Sequence, residues 1–435
     1  MAHRGCIVGT PEFQLLLREA ALHPLLRREL ESRFVPNGFA EDDVWSTLLD
    51  IRRAQGVFSP NIEYSDGVLR RNWHSEPASM QQSLRELGDM TRTGSFLDGV
   101  TRKHAGYYFL LQQYVEEAVT NLRFDGFDCG YDEIRAVMRR TRKARNAAEQ
   151  LAVNYHEIIC DLDSYMDTNV ETNLLDSIFA RLTNGAPRDD LDVRPHPVFP
   201  LPALDASSTD PSHVRDIVIA TCNDRLSEPW QHPIMVSMLI NCRFWRLRPF
   251  PSCNHLMGNI IVNIYQRKHC LPALSTIPKA HLLDLWAHRG FLGVTAPYTF
   301  EESFVPDGTD TDWTAYYDTL LGLMLQEARQ VQRAMRILND DEDRLIELVR
   351  NLPRLNRRQR DLLQESILDP SREFWVSRLS KQWGVVYSTV RTDLRLLYEQ
   401  GFFTCFVRDS TNVYRSVPNV ADVIEREARK AGVLA

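Results

Sequence analysis

The chain has 435 residues, 43% hydrophobic and 25% charged, which is enough for two or three domains, each with its own core. A net charge of −7 excludes a protein that coats nucleic acid over its whole surface and leaves room only for a local basic patch. No stretch approaches 18 uninterrupted apolar residues, residues 1–13 lack a signal-peptide core, and the eight Cys form no CxxC pair, so the expectation is a cytoplasmic chain with reduced thiols, no membrane span and no zinc knuckle.

Hydrophobic spacing is helical nearly throughout, which makes the predicted fold class mainly α. A helix is predicted over 11–34 and another over 42–53, capped by Asp42. Residues 58–72 are less regular and suit short strands. A long apolar-periodic helix follows over 99–122, and two more lie between 132 and 163 around a basic stretch. The Pro-rich segment 185–212 reads as a surface loop. Helices resume at 213–226, 233–247, 256–268, 279–288 and 311–351. Beyond Leu352, short helices precede the alternating run 402–417, a hairpin pattern with Asp409–Ser410 near its turn. The predicted domains are a mostly helical region 1–98, a helical bundle 99–339 and a C-terminal domain 345–435, with the boundary near 338–345 in an acidic run.

The centre of the chain reads His232-Pro233, a helix, and then Arg248-Pro249-Phe250-Pro251-Ser252-Cys253-Asn254-His255-Leu256-Met257-Gly258-Asn259. This stretch resembles the core of Fic proteins, in which an HP-opened helix leads into HPFxDGNGRxxR at the start of the next helix. Pro249, Phe250, Asn254 and Gly258 fit. The segment 117–158, with Asp125-Gly126 and a basic turn, resembles the upstream Fic segment that carries the SxxxEG inhibitory motif. The DWT helix from Asp310 resembles a late helix of larger Fic proteins, some of which end in a winged helix. The resemblance covers residues 99–339 and implies a Fic-like helical bundle.

It also implies a site with its catalytic groups replaced. The family uses a His as general base, an acidic residue for Mg²⁺, glycines around the Asn to bring backbone N–H groups to the phosphates of ATP, and two arginines to grip them. Here the corresponding residues are Arg248, Ser252, Cys253, His255, Leu256 and Asn259. A guanidinium stays protonated and cannot act as base, and loss of a positioned base costs a factor of about 10²–10⁴. A hydroxyl is a poor substitute for a carboxylate on a hard cation. Bidentate phosphate recognition goes with the arginines. The candidate ligand-binding residues left are Asn254 and Gly258. The inhibitory motif is altered too: Asn121, Asp125 and Gly126 stand in its place, and the arginine that its Glu would pair with aligns with Asn259.

Other constellations have plainer readings. Cys253 and His255 could suggest a new nucleophile, but neighbours in a loop usually point apart, so a reshaped loop is expected. His269, Cys270, His281 and His288 are read as packing or surface residues, and no metal site is predicted. Arg139, Arg140, Arg142, Lys143 and Arg145 suit a structural turn paired to acids, with a phosphate or nucleic-acid contact as the alternative. Phe244, Trp245 and Phe250 fall at core spacing.

In the C-terminal domain, 374–383 and 387–400 read as a helix-turn-helix around Gly384, followed by a wing over 402–417. Its DNA-contact candidates are Ser388, Thr389, Arg391 and Arg395 on the second helix and Arg408 and Arg415 on the wing. Two functions follow. One is a catalytically degenerate Fic-fold scaffold, sensor or regulator that binds DNA and needs no cofactor. The other is a divergent enzyme using ATP and Mg²⁺ to modify a protein hydroxyl. A protein partner at the Fic cleft and a homodimer are further expectations.

Overall fold

The computed structural model describes residues 7–30, 35–63, 69–101, 104–192, 211–223, 231–289, 310–368, 370, 372–408 and 411–434. Helices dominate them, as the hydrophobic periodicity requires. The chain divides into two units. One comprises Met1–Asp98 and Leu111–Arg329, the other Gly99–Leu110 and Gln330–Ala435.

In the first unit, α1 (Pro11–Leu22) opens with Pro11 at its first position and Thr10 as cap, Oγ1 accepting the Phe13 N–H at 3.3 Å. The predicted continuation to residue 34 fails at Pro24, which disfavours helical geometry at the residue before it; His23 is extended. A short α2 (Arg27–Leu30) follows, and 31–34 lie outside the described residues. In α3 (Glu41–Ala54) the cap is Ala40 and not Asp42. Asp42 sits in the first turn with Glu41 and Asp43, where carboxylates favour the helix dipole. Phe13, Leu16, Val44 and Leu48 form the local core.

Strands β1 (Val57–Glu63) and β2 (Leu69–His74) pair antiparallel, and β3 (Asp310–Asp312) adds parallel to β2. After α4 (Ala78–Thr91) and α5 (Phe96–Thr101) come α6 (His104–Phe124), α7 (Tyr131–Met138), α8 (Ala147–Cys160), α9 (Thr172–Leu182), α10 (Pro211–Cys222), α11 (Pro233–Leu247), α12 (Asn254–Lys268), α13 (Lys279–Arg289) and α14 (Thr314–Asn351). The loop prediction for 193–210 falls outside the described residues. Helix α12 is buried at every position from Asn254 to Gln266, so it is the central helix of the main core. The basic stretch before α8 is a structural turn. Arg142 grips Glu149 through two hydrogen bonds of 2.6 and 2.7 Å, Glu149 also accepts the Arg145 N–H, and Asn146 caps the helix.

The acidic run expected at a domain boundary lies inside α14. In the second unit, α15 (Arg357–Leu368), β4 (Phe374–Trp375), α16 (Val376–Trp383), α17 (Tyr387–Glu399), β5 (Phe403–Arg408), β6 (Thr411–Ser416) and α18 (Val420–Lys430) surround a core of Leu362, Leu379, Leu394 and Ile424. The sheet order is β4-β6-β5, antiparallel. The helix predicted from residue 374 starts at Val376, because Phe374 and Trp375 pair with Tyr414 and Val413 and Phe374 stacks on Phe403. Asp409–Ser410 lie outside the described residues.

Candidate functional site

The loop between α11 and α12 is built by its flanking residues. His232 caps α11, Nδ1 accepting the Ile234 N–H at 3.2 Å, with Pro233 at the first position. The helix ends at Arg248, whose φ of 47° is left-handed, and Pro249 follows. Cys253, just before α12, is left-handed too, at φ 58°. The backbone here takes a conformation that glycine adopts at no steric cost, while the side chain is a buried cysteine. Asn254 locks the loop. Its Oδ1 accepts the Phe250 N–H at 2.9 Å and its Nδ2 donates to the Phe250 carbonyl at 2.8 Å.

The N-terminus of α12 would attract an anion, since its first N–H groups lack helical acceptors. A carboxylate of the chain already occupies that position. Asp125 Oδ1 accepts the His255 N–H at 3.0 Å, and Oδ2 accepts the Leu256 N–H at 3.2 Å. The His255 ring lies on the same oxygen, Nδ1 to Oδ1 at 2.8 Å. Both side chains are 1% exposed. The imidazole is stacked on Trp245 and tilted against Phe124, and its Nε2 is buried without a hydrogen-bond partner among the described residues. Asp125 reaches this point because α6 stops there: Gly126 takes φ 99°, and the Phe127 N–H bonds back to the Leu122 carbonyl.

Asn259 belongs to a second buried network. Its Oδ1 accepts from the Tyr155 hydroxyl and from Asn263 Nδ2, both at 2.8 Å, and its Nδ2 donates to Glu117 Oε1 at 2.5 Å. The other Glu117 oxygen caps α13, accepting the Ala280 N–H at 2.9 Å. Burial pushes the Glu117 carboxyl up, opposed by the charge of Lys279. Burial likewise pulls the Lys279 ammonium down to about 8. Asn121, one turn along α6, donates to the Glu117 backbone carbonyl at 2.8 Å. The side-chain hydrogen bonds of Asp125 and of Asn259 go to different partners, so the pairing implied by the family's inhibitory switch is not made.

The remaining motif residues serve packing. Leu256 is fully buried in the core. A Cβ on Gly258 would lie 2.8 Å from Phe244 Cβ, so this glycine lets α11 and α12 approach closely. Ser252 is buried beside Pro251 at a cavity of about 720 Å³ that Phe179 and Asn184 also line. Arg248 is half-buried; burial lowers its guanidinium and the charge of Asp125 opposes that. Burial pushes the Cys253 thiol well up, the opposite of what a nucleophile needs. Phe244, Trp245 and Phe250 are buried, and Phe250 stacks on Phe179. Sequence reading missed Glu117. The available signal was the four-residue spacing of Gln113, Glu117, Asn121 and Asp125 along an apolar helix.

In the second unit, Ser388, Arg391 and Arg395 are exposed along one side of α17, and Thr389 is half-buried. The cations there are not equivalent. Arg395 pairs with Glu399 at 3.3 Å and Arg408 with Glu373 at 2.7 Å. Arg415 lies over the Phe406 ring and Arg378 over Trp375. Arg358, upstream, anchors buried Asp393 at 2.6 Å. Arg391 and Lys381 are exposed and make no ion pair among the described residues.

Among the described residues no helix is long and apolar enough to cross a membrane. No protein-family model and no curated protein matches the chain. Among solved structures, it is similar to a Fic family protein from Desulfovibrio desulfuricans G20, with 15% identity over 78% of this chain and 96% of that one, at a TM-score of 0.40.

Proposed function

We propose that the chain is a catalytically degenerate Fic-fold protein, a scaffold, sensor or regulator whose C-terminal module is a DNA-binding winged helix. The observation that carries the first half is the seat of Asp125. The α12 N–H groups that a phosphate would need already donate to a carboxylate of the chain. A nucleotide would have to displace that carboxylate and meet its charge. Ser252, Leu256 and Asn259 offer no anionic metal ligand and no cation in exchange. These residues therefore do not fit ATP with Mg²⁺.

The DNA half rests on α17 following α16 through the left-handed Gly384, on the β5–β6 hairpin as a wing, and on the unpaired Arg391. The test is fluorescence anisotropy of the full chain with genomic DNA fragments across a salt series. Binding that weakens as salt rises through counterion release supports the reading. Absent or salt-independent binding leaves the module a protein-interaction wing.

One observation favours the alternative of a divergent transferase. Asp125 holds the Nδ1 side of the His255 ring, and Nε2, on the far side, has no hydrogen-bond partner among the described residues, which is where a general base would present its nitrogen. At 1% exposure that nitrogen reaches a substrate hydroxyl only if the loop opens.

A further inference from the structure

Helix α17 departs from ordinary helix chemistry at its start. Its cap position is Val386, which makes no side-chain capping hydrogen bond, although Ser, Thr, Asp and Asn are the residues that stabilise such a position. Val386 is 68% exposed, and Tyr387, the first helical residue, is 50% exposed. The core does not need them, since Val390, Leu394 and Leu397 form the buried side of the helix. Two apolar side chains therefore stand in water where small polar residues would give a more stable helix.

Their surroundings select the occupant. Lys381 and Arg391 are exposed and make no ion pair among the described residues. Tyr387 and Arg391 are one turn apart on α17, and both lie close to Tyr414 of β6. A second copy of the chain would bring these cations against their own kind. DNA instead offers phosphates beside apolar groups. Few side-chain hydrogen-bonding groups are free on this turn: the Thr392 hydroxyl donates to the Ser388 carbonyl at 2.9 Å and Thr389 is half-buried, which leaves the Ser388 hydroxyl and the Tyr387 phenol. The apolar group that a base edge presents in the major groove is the C5 methyl of thymine.

We propose that Val386 and Tyr387 are specificity-determining residues that read thymine methyl groups in the major groove. This inference rests on the DNA-binding reading and names what that site recognises. The test selects duplexes from a random library with the full chain, then remakes a bound duplex with deoxyuridine in place of thymine. That change removes the methyl and keeps the base pairing. In anisotropy titrations the uracil duplex should bind more weakly, by about fourfold for each methyl contacted. Val386→Ser should raise the Tm by supplying the missing cap, and Val386→Ser and Tyr387→Ser should each shrink the difference between the two duplexes. Arg391→Ala should weaken both duplexes alike and keep their difference. Circular dichroism checks that the variants fold, and the wild-type comparison of thymine with uracil needs no variant. Equal binding of the two duplexes by the wild type, or a difference that survives both Ser variants, overturns the inference and leaves the DNA reading standing. No binding to any duplex overturns the DNA reading and this inference with it.

Discussion

The α11–α12 loop and the outer face of α17 both carry polar groups suited to anions, and they treat them in opposite ways. Around the loop, donors are turned inward. Two α12 N–H groups and the His255 ring are spent on Asp125, and Asn254 is spent on the Phe250 backbone. On α17, Arg391 faces solvent and makes no ion pair among the described residues, although Arg395, one turn on, has Glu399. An anion-attracting element is a site only if the fold leaves it unsatisfied. A motif shows where donors stand, and only three-dimensional structure shows whether they are already in use.

The largest test of that contrast is Asp125→Ala. It removes a buried carboxylate that accepts three hydrogen bonds and strands their donors, so it should cost about 3–5 kcal/mol in chemical denaturation. Asp125→Asn keeps an acceptor oxygen and should lose less. A near-neutral Asp125→Ala would mean that the α12 N-terminus is not closed as described.

The second test uses Lys279. Its folded-state value of about 8 lies below its ordinary 10.5, so between those values the unfolded chain binds the extra proton. Its contribution to stability is therefore present above pH 10.5 and lost as pH falls through 8. Relative to Lys279→Met, the wild type should gain stability by about 1–3 kcal/mol across that window, since each pKa unit corresponds to about 1.4 kcal/mol. A flat difference between the two pH profiles would place the ammonium in solvent.

How legible was this in the sequence? The helices were, because apolar spacing and caps are local, and α11 was predicted to the residue. Where local signals failed, a specific competitor won: Pro24 cut the first helix, and the pairing of Phe374 with Tyr414 took two residues from α16. The resemblance also made Asp125 legible as a residue of interest. Its present role was not, because the Asp125–His255 contact spans 130 positions in the chain. Glu117 beside Glu116 reads as part of a solvated pair, and only the four-residue ladder from Gln113 to Asp125 marks it as internal. The pairing of Arg395 and Arg408 is a matter of side-chain geometry that composition does not express.

On the exposed side, Arg391→Ala should weaken DNA binding by about tenfold, or about 1.4 kcal/mol, and lower the salt slope by about one if the arginine meets a phosphate. The smallest effect belongs to Arg395→Ala. Its guanidinium already has Glu399, so the loss should stay below about 1 kcal/mol. Anisotropy titrations at two salt concentrations separate the two variants, and equal losses would remove the distinction drawn between paired and unpaired cations.

The central claim is that the α12 N-terminus is closed by the chain's own carboxylate and transfers no nucleotide. The most direct measurement is incubation of the wild-type chain with α-labelled ATP, Mg²⁺ and cell lysate, read by autoradiography and intact-mass spectrometry, beside Asn254→Ala and His255→Ala. The account predicts no label on the chain or on lysate proteins above the background of these variants. Robust labelling by the wild type that disappears in Asn254→Ala or His255→Ala would contradict it and establish the divergent transferase.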